Sequence, residues 1–71
     1  MAALPLNVEH FDSLPGTAIL RRVDVRVLTS LSNSTLDRLI ADGSFPTPIK
    51  LGQRAIGWRA EDIRNYLSRL V

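Results

Sequence analysis

One serine, three aliphatic residues and a glycine constrain this chain more than anything else in it. Ser32 precedes Leu36, Leu39 and Ile40, which recur at helical spacing, and Gly43 comes after them. A serine ahead of such a run is a favoured N-cap, because its hydroxyl accepts a hydrogen bond from an otherwise unpaired amide of the first turn. A glycine behind it takes the left-handed backbone on which many helices end. The spacing therefore predicts a helix over residues 32–42 with one apolar stripe and one polar face. Upstream, Arg22-Val23-Asp24-Val25-Arg26-Val27-Leu28 reads as a shorter helix with Val25 and Leu28 on one side. Its valines are mediocre helix formers, so packing must hold it. Thr29, Ser30 and Leu31 form the tight turn between the two, and two short helices across such a turn make a helix-turn-helix.

A second device lies beyond Gly43. Pro46 and Pro48 exclude a helix. Ile49 and Leu51 then alternate with Lys50, Ile56 and Trp58 alternate with Gly57, and Gly52-Gln53-Arg54-Ala55 lies between them as a hairpin loop. Residues 60–70 close the chain as a helix with Ile63, Tyr66, Leu67 and Leu70 inward. Glu61 and Asp62 stand at its positive end and Arg69 near its negative end, as the helix dipole favours. The expected fold is mainly α with a small β-hairpin wing: a winged helix-turn-helix in the order helix, turn, helix, hairpin, helix. Residues 19–71 form that domain. Residues 1–18, interrupted by Pro5 and Pro15-Gly16, read as a flexible N-terminal arm, within which Leu4, Leu6 and Val8 alternate as a short extended segment; it is either a frayed tail that partly covers its own core or an arm that pairs with a neighbouring subunit.

At 71 residues the chain fits one domain, and its core is modest. No cysteine is present, so disulfides and thiolate metal sites are excluded. His10 is the single histidine and has no defined nucleophile or carboxylate partner. Glu61 and Asp62 are adjacent on a helix and diverge, so they do not make an acid–base pair. The expected protein is not an enzyme and takes no metal or cofactor. No apolar run approaches the roughly 20 residues needed to span a bilayer, and the N-terminus does not read as a signal peptide. A cytoplasmic protein with no membrane partner is expected. The net charge is only +2, yet eight of the nine basic residues are arginine. Arginine's planar fork suits phosphates and guanine edges.

An ordered string of residues carries a family resemblance. Leu28-Thr29-Ser30-Leu31-Ser32 is followed by Ser34-Thr35-Leu36, Arg38-Leu39-Ile40 and Asp42-Gly43-Ser44-Phe45-Pro46. The string continues through Pro48-Ile49-Lys50-Leu51-Gly52 and closes on Gly57-Trp58 and Ile63. Residues 19–70 thereby resemble the AlpA-like regulators and small phage-type excisionases, whose domain is similar to the winged DNA-binding module of MerR proteins. The resemblance implies a prokaryotic or phage-encoded, sequence-specific DNA-binding protein of a prophage or integrative element. It would act as a transcriptional regulator or as a recombination directionality factor. Three positions depart from the usual pattern: Asn33 where arginine is common, Asp37 where an aromatic is common, and Ser30 where glycine is common.

The expected contacts with double-stranded DNA come from the helical wheel. With Leu36, Leu39 and Ile40 inward, the opposite face centres on Ser34, Arg38 and Ala41, and Asn33, Thr35 and Asp37 lie toward the N-terminal end that reaches base edges. Asn33 suits adenine, Arg38 guanine or phosphate, and Asp37 a cytosine amine. Ser34 and Thr35 suit phosphates. Three of them also have a purely structural alternative: Asn33 supporting the cap, Asp37 complementing the dipole, Arg38 pairing with Asp42. Arg54 at the wing tip, then Gln53 and Lys50, suit the backbone or minor groove. Trp58, Tyr66 and Phe45 are assigned to the core. Two further partners are weighed: an integrase, and other copies of the chain bound side by side through the N-terminal arm. The rival to DNA binding is a module that docks the same surface on an integrase or another regulator.

Overall fold

The Ser32 hydroxyl does cap its helix. It accepts from the Thr35 amide at 3.2 Å, with Ser32 in extended backbone. From that point the computed structural model, which describes residues 6–70, reads in both directions. Its elements are a single helical turn α1 (Leu6–Glu9), a 3-10 turn (Phe11–Ser13), strand β1 (Ile19–Leu20), helix α2 (Arg22–Thr29) and helix α3 (Asn33–Ala41). Strands β2 (Ile49–Lys50) and β3 (Ile56–Arg59) and helix α4 (Ala60–Arg69) complete the chain. This is a winged helix-turn-helix. Gly43 stops α3 with φ of 81°. The Leu51 amide donates to the Ala55 carbonyl at 2.8 Å and closes the wing.

Ser30 ends α2 in the left-handed region, at φ 62° and ψ 19°. It is the one described non-glycine residue with positive φ, at the position where the sequence departs from glycine. The left-handed conformation costs an L-residue about 1–2 kcal/mol, part of which glycine's larger unfolded-state entropy offsets. Ser30→Gly is therefore expected to raise the urea midpoint slightly, by up to about 1 kcal/mol in stability. A lowered midpoint would show that the serine relieves its own strain.

The core comprises Leu20, Val25, Leu36, Phe45, Trp58, Ala60 and Ile63. Trp58 is fully buried, donates its indole N–H to the Pro46 carbonyl at 2.8 Å, and meets Phe45 edge-on at 6.0 Å. Phe45 in turn packs against Tyr66 at 4.5 Å. The rigid Pro46–Pro48 segment is thus fixed to the wing's second strand through one hydrogen bond.

Several expectations need correction. The expected two-stranded hairpin has a third strand: Ile19 and Leu20 form β1 and pair antiparallel with β3, giving a three-stranded sheet of order β1-β3-β2. Leu20 lies opposite Trp58, and both are wholly buried. Gly57 is demanded by this pairing, since a Cβ there would stand 2.8 Å from the Leu20 carbonyl oxygen and 2.7 Å from Ile19 Cγ2. Leu70 is not on the inner face of the last helix; it is its C-cap, 63% exposed.

In the N-terminal segment one expectation changes. Leu6–Glu9 is helical rather than extended, while Leu4 lies outside the described residues. Phe11, Leu14 and Ala18 pack against the core. The Arg64 guanidinium donates to the carbonyls of Phe11 and Leu14 and lies 5.0 Å from the centre of the Phe11 ring. The Glu61 amide donates to the Gly16 carbonyl and the Ala60 amide to that of Ala18. Asn7 donates to the Asp24 carboxylate at 3.1 Å, and the same oxygen accepts from the Arg21 amide at 2.9 Å. Asp24 is 3% exposed, so these two donors replace the water it gives up. Asp24 also caps α2 from its third position.

Candidate nucleic-acid interface

The polar face of α3 is where the helical wheel put it. Asn33, Ser34, Asp37 and Arg38 are exposed, as is Ala41, and Thr35 is half-buried. Thr35 is partly engaged in the cap: its hydroxyl oxygen accepts from Ser32 Oγ at 3.0 Å. Its hydroxyl hydrogen is still available to an acceptor.

The structural alternatives fare unequally. Arg38 does not pair with Asp42, whose carboxylate accepts instead from the Ser44 amide at 3.1 Å. Arg38 makes no side-chain hydrogen bond among the described residues and stands with its guanidinium available. Asn33 does not support the cap; its Oδ1 accepts from Arg22 Nη1 at 3.3 Å. Asp37 is held by Arg22 Nη2 at 2.7 Å. Two of the expected base-reading side chains are thus tied to one arginine of the preceding helix.

On the wing, Lys50, Gln53 and Arg54 are all exposed. The fold brings Arg54 beside the start of α2, where Arg21, Arg22, Val23, Arg54 and Ile56 line one open cleft. Arg22 is offset by Asp37, but Arg21 and Arg54 beside it give the cleft a local positive field that the small net charge does not reveal. Arg22 thereby links this cleft to Asn33 and Asp37 on α3. Lys50 and Gln53 lie on the hairpin outside this cleft.

Sequence reasoning missed Arg21 and Arg22. Their adjacency at the head of a helix was a visible signal, but their neighbours come from α3 and the wing, and only the fold supplies those. Asp24, which fixes where α2 begins, was legible as an acid three residues past a helix start and was also missed.

Among the described residues, no three His, Cys, Asp or Glu side chains gather closely enough to hold a metal ion. No helix among them is long and apolar enough to cross a membrane. Compared with known proteins, the chain matches the family model described as Prophage CP4-57 regulatory protein (AlpA) over residues 18–71. No curated protein and no solved structure matches it.

Proposed function

We propose, for a chain that belongs to the AlpA family of prophage regulatory proteins, a sequence-specific function on double-stranded DNA. In this reading α3 enters the major groove, with Asn33, Asp37 and Arg38 toward base edges and Ser34 and Thr35 toward phosphates. The wing lies along the backbone, led by Arg54, with Gln53 and Lys50 beside it. The observation that carries the proposal is the arginine cleft. It joins the exposed face of α3 to the wing through Arg21, Arg22 and Arg54, so both elements can meet one duplex.

The protein acts, on this reading, in the cytoplasm on the DNA of a prophage or integrative element, as a transcriptional regulator or a recombination directionality factor. Tight specific binding buries about 1,000 Å² or more of protein surface. A domain this small offers one helix and one wing, so several copies occupy adjacent sites. Excision would further require an integrase partner and bent DNA; regulation alone would not. Circular-permutation gels separate the two, because only the excision role needs the free protein to bend its site.

Salt dependence tests the interface. With roughly four phosphate contacts, the slope of log K against log salt is expected near −3.6. Arg54→Ala should flatten it by about one unit and weaken all duplexes alike. Arg38→Ala should instead cost about 1–3 kcal/mol on the preferred site and less on random DNA. An unchanged slope would remove Arg54 from the interface, and equal loss on both duplexes would reduce Arg38 to a phosphate contact. If no duplex shifts at all, the surface docks on a protein instead.

A further inference from the structure

Arg22 belongs to α2, yet both arms of its guanidinium end on α3. Nη1 donates to Asn33 Oδ1 at 3.3 Å and Nη2 to Asp37 Oδ1 at 2.7 Å. Asn33 and Asp37 are four residues apart on a helix and therefore neighbours on one face. A guanidinium carries five N–H donors and no acceptor, so an amide can meet it only with its oxygen. The way round of the Asn33 amide is thus dictated by its partner: the oxygen is turned toward Arg22 and the Nδ2 donors are left for another acceptor. Asp37 likewise keeps one oxygen for an incoming donor.

An ion pair this open to solvent, with side chains 34% and 64% exposed, contributes little to folding. Its place on the candidate reading face points to another use. We infer that Arg22 is the positioning residue that sets the base preference of α3, an inference that rests on the DNA-binding reading above. It acts in two ways. It holds Asn33 in one orientation, which decides where along a base edge the donor and the acceptor fall. It also compensates the Asp37 carboxylate, which would otherwise repel phosphates as the helix enters the groove, and leaves that side chain able to accept from a cytosine amine.

A direct phosphate contact by Arg22 is the competing role, since the same residue lines the cleft with Arg54. The two roles separate in a double-mutant cycle. The probes are a duplex enriched by the wild type from a library of random double-stranded 20-mers, and a scrambled duplex of equal length. Arg22→Met is expected to weaken binding to both by about tenfold or more. Adding Asp37→Asn to it should return the scrambled duplex to within about threefold of wild type, a larger gain than Asp37→Asn gives in the presence of Arg22, because the unpaired carboxylate is gone. Arg22→Lys should behave similarly on scrambled DNA while its selected base preference stays relaxed, since one ammonium keeps the charge but loses the planar fork.

The inference is overturned if Asp37→Asn restores nothing to Arg22→Met, which makes Arg22 a phosphate contact. It is equally overturned if Arg22→Met and Arg22→Lys enrich the same sequence as the wild type. Both of these leave the DNA-binding reading standing. A wild type that enriches no sequence and binds neither duplex overturns that reading and the inference with it. Circular dichroism of each variant, expected to match the wild type, confirms that the differences lie on the surface.

Discussion

Trp58→Ala is expected to leave a domain that is unfolded, or nearly so, at ordinary temperature. Truncating a buried tryptophan costs about 3–5 kcal/mol from lost burial and the cavity left behind. A chain of this length has roughly 4–11 kcal/mol of stability in total. Here the residue is fully buried between Leu20 of β1 and the Phe45 ring, and its indole satisfies the Pro46 carbonyl. Its loss therefore weakens the sheet, the aromatic cluster and the anchor of the proline segment together. Urea unfolding followed by circular dichroism measures the effect. A variant that keeps its midpoint but stops binding DNA would move Trp58 from the core to the interface.

Deleting residues 1–17 is expected to lower the melting temperature of the domain clearly, where an arm reserved for a neighbouring copy would leave it unchanged. Phe11 and Leu14 are half-buried against the core and contribute about 1–2 kcal/mol each. The deletion also removes the carbonyls that receive Arg64 and the Glu61 amide, and the Asn7 amide that serves Asp24. Such bonds contribute about 1 kcal/mol apiece. The buried Asp24 carboxylate would keep only the Arg21 amide. Thermal melting of the truncated and full chains decides it, and an unchanged midpoint would mean that the segment only rests on the surface. The family match begins at residue 18, but the packing begins earlier, so a chain cut where the match starts would lose the half-buried Phe11 and Leu14 that cover its core.

The parts legible in the sequence are those whose signals are local. Helix α3 was readable because Ser32, the Leu36–Leu39–Ile40 stripe and Gly43 all lie within a dozen residues. The hairpin was readable because alternation flanks a loop. Strand β1 was not, since two residues carry no period and their partner is distant. The packing of Phe11 and Leu14 was one of two readings left open: Pro15 and Gly16 exclude a helix but do not decide whether a loop lies on the core. At the candidate site, the exposed face of α3 came directly from the wheel. The hold of Arg22 on Asn33 and Asp37 did not, because it depends on how α2 crosses α3.

The pairing of β1 with β3 also fixes when this protein can fold during its own synthesis. Ile19 meets Arg59, and Leu20 meets Trp58. At about 5–20 residues per second, translation separates those partners by roughly 2–8 s. Until the second partner has been added, Leu20, Val25 and Leu36 have no indole to close over them, and the long-range pairing that completes the sheet cannot begin. The nascent chain thus waits with its apolar residues open, and the sheet is completed late. A nonsense codon anywhere before Trp58 would give no smaller version of the protein, only an unfolded peptide open to proteases.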